Sequence, residues 1–164
     1  PPMKDKRYGC RATIVDNNIY VTGGENNESF ASVEVFDCKT RSWTSGPTMI
    51  NDHYQHASVT VDGDIYIFGG CDDNYDTNKC EKLDTTSNTS NSWTEIPDMP
   101  YWVQGCTAVT KEQNIYVMGG RNNEGEFFDT VAVFDVNKIS WVKEYRMNTP
   151  RWNAAAILYD NKIC

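Results

Sequence analysis

The chain has 164 residues, 39% of them hydrophobic and 12% aromatic, which describes one globular domain's worth of chain at most. Its 15 Lys and Arg against 23 Asp and Glu leave a net charge of −8, which argues against nucleic acid and anionic membrane as partners, since both require clustered basic side chains. No apolar run reaches the roughly 18 residues of a membrane helix, and the opening PPMKDKRYG has no apolar core of the signal-peptide kind.

In chain order, the first predicted elements are the short runs Ala12–Val15 and Ile19-Tyr20-Val21-Thr22, the second ending in Gly23-Gly24. Val33–Phe36 follows, then Trp43-Thr44 ahead of a polar, Pro-containing stretch. The same order then returns: Ser58–Val61, Ile65-Tyr66-Ile67-Phe68 before Gly69-Gly70, Cys80–Asp84, and Trp93-Thr94. It returns again as Ala108–Thr110, Ile115-Tyr116-Val117-Met118 before Gly119-Gly120, Val131–Phe134 and Trp141-Val142. A fourth round begins with Ala155–Leu158 and stops at Cys164. The heptapeptides NIYVTGG, DIYIFGG and NIYVMGG mark the period, 46 and then 50 residues apart. Met3, Met49, Met99 and Met147 form a second column, and each of Trp43, Trp93 and Trp141 lies six residues before the next Met. The repeats read as about 3–48, 49–98, 99–146 and a truncated 147–164.

No segment carries a sustained helical stripe, which removes a helical solenoid. Four short strands repeated at a fixed period, with Asp- and Asn-rich turns between them, predict an all-β fold: a β-propeller of four-stranded antiparallel blades, about three and a half of them present. Small residues recur in the first strand (Ala12, Ser58, Ala108, Ala156), as expected where blades converge. The glycine pair is expected to leave room for a neighbouring aromatic ring. Each Trp is expected to bury a surface worth roughly 2–3 kcal/mol between sheets. An open arc of blades also predicts exposed apolar end faces carrying Ile19, Tyr20, Trp43 and Ile157, and with them self-association or the remainder of a propeller.

Gly-Gly after an Ile-Tyr strand, V-x-V-F-D at Val33–Asp37 and Val131–Asp135, a Trp and a following Met together resemble the kelch repeat across essentially the whole chain. The second unit departs from it, with Cys80–Asp84 in place of V-x-V-F-D and an enlarged loop, TTSNTSN, after it. Gly-Gly-Arg-Asn-Asn at 119–123 and the Met147–Arg151 stretch look most like the propellers of BTB–kelch ubiquitin-ligase adaptors. That resemblance implies a non-catalytic, cytoplasmic module that captures a protein or peptide, without cofactor or metal. The alternative it leaves open is a fragment of a kelch enzyme acting on carbohydrate, of the copper radical oxidase or sialic-acid mutarotase type.

Residue chemistry adds little that is catalytic. His53 and His56, three apart on an expected strand, should point to opposite faces and so cannot share a metal. The alternation Asp72, Asn74, Asp76, Asn78 is that of half a calcium loop, but Thr77 and Leu83 stand where Gly and Glu are needed, leaving an acidic, solvated hairpin loop. Of the six cysteines only Cys71 and Cys80 are placed to meet, and reduced thiols are expected. Asn27-Glu28-Ser29 and Asn88-Thr89-Ser90 fit the glycosylation pattern, which 16 asparagines make easy to match by chance. In the kelch adaptors the partner face is built from the loops after Gly-Gly and those leading from Met into the next strand. Here these loops carry Arg7, Asn26, His53, Tyr54, Asp72, Asn74, Tyr75, Trp102, Arg121, Asn123, Arg151 and Trp152 as candidate partner-binding residues. Arg121 and Arg151 are expected on one rim, gripping a carboxylate or phosphate of a peptide.

Overall fold

Runs of β-branched and aromatic residues, interrupted by Asp, Asn or Gly after each strand's length, build narrow sheets. The computed structural model describes residues 1–73, 75–86 and 92–164, and among them it contains strands and no helix. Asn74, the Asn88-Thr89-Ser90 site and most of the enlarged loop lie outside the described residues. The first sheet holds β1 (Arg11–Val15), β2 (Asn18–Thr22), β3 (Val33–Asp37) and β4 (Ser42–Ser45). The second holds β5 (Ala57–Val61), β6 (Asp64–Phe68), β7 (Cys80–Leu83) and β8 (Trp93–Ile96). The third holds β9 (Thr107–Lys111), β10 (Asn114–Met118), β11 (Thr130–Asp135) and β12 (Ser140–Arg146). A two-stranded hairpin of β13 (Leu158–Tyr159) and β14 (Lys162–Ile163) follows. Strands lie side by side in chain order and pair antiparallel, so these are propeller blades, the last represented by its inner hairpin.

Two details differ from the sequence expectation. The run at 155–158 enters the ladder only from Leu158, although Ile157 and Cys164 exchange backbone hydrogen bonds at 3.0 Å. The register that sets Leu158 opposite Ile163 and Ile157 opposite Cys164 places no strand opposite residues 154–156, which remain outside the ladder. The glycine pairs make room for backbone, not for an aromatic ring. Gly69 and Gly70 have φ of 58° and 102°, and a Cβ on Gly69 would lie 2.7 Å from the carbonyl oxygen of Val103 in the next blade. That close approach is a hydrogen bond, Gly70 N to Val103 O at 2.8 Å, repeated as Gly24 N to His53 O at 2.8 Å and Gly120 N to Arg151 O at 2.7 Å.

A second series of backbone links runs between blades. Gln55 N donates to Gly9 O at 2.8 Å, Gly105 N to Gln55 O at 2.8 Å, and Asn153 N to Gly105 O at 2.9 Å. All four residues occupy the left-handed region, with φ from 50° to 64°, where Gly and Asn are at home and Gln is strained. The inner strands also touch: Thr13 Oγ1 lies 2.5 Å from Ser58 Oγ, and Thr60 Oγ1 donates to Ile14 O.

The core lies between blades. β6 is buried on both faces, with Ile65 and Ile67 joining Val15, Val33, Met49 and Trp93 against the first blade. Tyr66 and Phe68 face the third blade, where Phe68 and Phe134 meet Trp141 edge-on at 5.6 and 5.3 Å. The indole N–H of each blade's fourth-strand Trp bonds the chain entering that blade: Trp43 to Pro1 O at 3.0 Å, Trp93 to Pro47 O at 2.9 Å and Trp141 to Pro97 O at 3.0 Å. Large rings thus fill the interblade wedge while their one donor ties down the crossover.

Candidate functional site

The loops after Gly-Gly and those before each first strand meet at one end of the blades, because they extend the inner hairpin. Tyr8 pairs with Glu25, Tyr54 with Cys71 and Gln104 with Arg121. Beneath this end lies a buried polar column. Arg7 and His53, each four residues after a Met, have side chains with no exposed surface, so neither belongs to a partner-binding face. Arg7 Nε donates to Glu34 at 3.2 Å and Nη1 to Gly23 O at 2.8 Å. His53 reproduces that pattern, with Nε2 3.2 Å from Glu81 and Nδ1 2.8 Å from Gly69 O. Each glutamate also accepts from the two amides that follow the Met: Lys4 and Asp5 for Glu34, Ile50 and Asn51 for Glu81. Burial opposes ionisation of both carboxyls, and these hydrogen bonds outweigh it, holding Glu34 and Glu81 below the ordinary glutamate range. In the third blade the corresponding residues are Val103 and Ala132, with Pro100 in the place of Lys4.

His53 and His56 do not diverge. They precede β5 rather than lie on it, and their rings meet edge-on with centroids 5.8 Å apart. Complete burial, then the neighbouring His53 and Arg11 charges, push His56 well below the usual histidine range. Its Nε2 meets Thr22 Oγ1 at 2.9 Å.

Asp72–Asn78 is likewise not simply a solvated loop. Asp76 is 3% exposed, and its carboxylate accepts from Gln104 Nε2 at 2.7 Å and from the backbone N–H of Asn123, both in the third blade. The Cys71 thiol also points to it, at 3.6 Å. Asp73 accepts from Ser29 N of the first blade at 2.5 Å. The second blade's loop therefore clasps the loops on both sides. Asp76 does not stand out in the sequence, since its column holds Ser29 and Phe127, whereas Gln104 interrupts a column that is aromatic at Tyr8, Tyr54 and Trp152.

Tyr75, Trp102 and Asn123 line one cavity of about 500 Å³ together with Tyr101, Phe128, Glu124 and Glu126. Asp72 and Trp102 line a neighbouring one of about 590 Å³ with Asp52 and Asp98. Tyr54 is half-buried, and Asn26 is exposed on the first blade's loop, away from both cavities. Arg121 and Arg151 are not a paired grip. The Arg121 guanidinium lies over the Trp152 ring, 4.6 Å from its centroid, whereas Arg151 lines a groove between β10–β12 and the last hairpin. Arg151 occupies the column of the buried Arg7 but is itself exposed.

All six cysteines are free, Cys71 and Cys80 included. Burial pushes the Cys71 and Cys106 thiols up to about 12, which leaves them unreactive.

A profile of the KLHDC2/KLHL20/DRC7 Kelch-repeats domain matches residues 2–164. The chain belongs to the kelch-repeat family. This kelch domain is 28% identical to human Kelch-like protein 23 over 99% of the chain and 29% of that protein. It is 23% identical to mouse Kelch-like protein 15, over 87% of the chain and 27% of that protein. With mouse Kelch-like protein 35 the identity is 29%, over 76% of the chain and 21% of the relative. The kelch domain thus spans less than a third of these relatives. Among solved structures, one described as "Structure of YjhT" superposes with a TM-score of 0.83 at 18% identity, covering 96% of this chain and 58% of that one, a likeness of fold.

Proposed function

We propose that this kelch domain is a non-catalytic recognition module that captures a partner protein on its Gly-Gly-loop face. In this reading it serves as the substrate-receiving part of a cullin-RING ubiquitin-ligase adaptor. The similarity to kelch-like proteins supports an interaction module. The observation that carries the reading is the placement of Tyr75, Trp102 and Trp152, which are 68%, 58% and 38% exposed at the same end of the blades. Large rings held in solvent on clasped loops are what a protein interface uses as anchors.

The test compares bound proteins recovered with the full-length protein and with its Tyr75→Ala/Trp102→Ala/Trp152→Ala variant. A second variant, Lys39→Ala/Lys138→Ala, alters turns at the opposite ends of the strands. Loss of specific partners with the first variant alone is the expected result. Equal recovery with all three proteins would refute the reading.

A further inference from the structure

Resting on that reading, we propose that the segment this face receives is basic, with a Lys or Arg side chain seated on each side of Trp102. The two cavities share Trp102 as a common wall, and both are built by the second and third blades, whose four strands are all present. On one side stand Glu124 and Glu126, with Tyr75, Tyr101 and Phe128 as apolar walls. On the other stand Asp52, Asp72 and Asp98, with Lys79 as the one basic residue in the lining. Lys79 is already bound to Asp98 at 3.0 Å. Asp76, which reaches both cavities, is consumed by the clasp to Gln104 and Asn123.

Carboxylates gathered around an exposed indole repel one another, and a cation entering between them relieves that repulsion. The indole offers its face to the same cation, an attraction that strengthens as water leaves. An acidic segment would meet repulsion on both sides of Trp102. The stem of a Lys or Arg would lie along Tyr75 and Phe128 while its head reached the carboxylates. The Arg121 guanidinium lies over Trp152, and among the described residues no arginine lines either cavity.

The experiment measures fluorescence anisotropy of the full chain with labelled Gly/Ser peptides carrying two arginines at varied spacing. Citrulline and glutamate versions of the same peptides serve as probes of charge. The arginine peptides are expected to bind best, with citrulline or Trp102→Ala each weakening binding about 10-fold. Glu124→Gln/Glu126→Gln and Asp52→Asn should each weaken it several-fold, and added salt should do the same. Trp102→Ala should melt as the parent does, because the ring is exposed. Equal binding of citrulline or glutamate peptides, or full binding by Trp102→Ala, overturns the inference. If no peptide binds while the aromatic triple variant still loses its partners, the basic-segment inference fails and the recognition reading stands. If the aromatic variant loses nothing either, both fail.

Discussion

Glu34 and Glu81 accept backbone amides and a buried cationic or imidazole donor, and neither arrangement is visible in the sequence as anything more than a strand residue. Arg7 and His53 looked like loop residues for the same reason: one chain shows their position but not the carboxylate that comes to them from a later strand. The third blade supplies the control, because Val103, Ala132 and Pro100 replace donor, acceptor and amide together, proline having no N–H to satisfy. Glu34→Ala should therefore cost about 3 kcal/mol, by leaving the buried Arg7 charge with only the half-exposed Asp5 carboxylate at 3.7 Å. Arg7→Val/Glu34→Ala should cost less than Glu34→Ala alone, as urea melts of the two will show. Histidine sets a pH limit at the same scale. His56 is pushed well below its ordinary 6.5, so between those values the unfolded chain holds a proton that the folded chain does not. Stability must then fall as pH drops below about 6.5, by roughly 1.4 kcal/mol per unit for this one proton, until the folded value is reached. The depressed Glu34 and Glu81 add to the loss only below about 4.5. His56→Cys, which copies Cys10 and Cys106 in the neighbouring blades, should abolish the early onset in melts across pH 4–7 while leaving the glutamate contribution.

Strands were legible where the sequence repeats, and β7 forms although Cys80–Leu83 departs from V-x-V-F-D, since its Phe68-to-Cys80 register continues that of the other blades. The end of the inner hairpins was legible too, but not its cause. Only the folded chain reveals that each Gly-Gly lies under the backbone of the next blade. Two glycines separate the effects of conformation and contact. Gly120 has φ of 99° and a Cβ there would fall 2.2 Å from the Val103 side chain and 2.8 Å from Gln104 O. Gly125 has φ of 85° and nothing within 4 Å. Gly125→Ala should cost about 1 kcal/mol, the conformational penalty alone, and Gly120→Ala clearly more, because backbone must move. Thermal melting of the two variants checks the order.

For the molecule as a whole, the blade count and the open arc follow from the period, whereas the chemistry of the face depended on clasps such as Asp76 that no period announces. Of the end-face residues expected from sequence, Ile157 is 62% exposed, while Ile19, Tyr20 and Trp43 are half-buried. The groove beside the last hairpin, about 660 Å³, is lined by Tyr116, Met118, Val131, Tyr145 and Met147. We expect the 164-residue chain to associate through this apolar surface at micromolar concentration, so that light scattering gives a mass above 18.6 kDa, and Tyr145→Lys to return it to that mass. A monodisperse parent of 18.6 kDa would contradict the expectation.

The backbone series through Gly9, Gln55, Gly105 and Asn153 has a mechanical consequence. Its links measure 2.8, 2.8 and 2.9 Å, and no side-chain atom takes part. Such a chain of equal links acts as a hinge pin, setting the pitch from each blade to the next independently of what fills the wedge between them. Core substitutions would then loosen the blades without changing their angular step. A tug on one blade would pass along the pin to the others, so the amides of Gln55 and Gly105 should exchange with deuterium together, at the rate at which whole blades part.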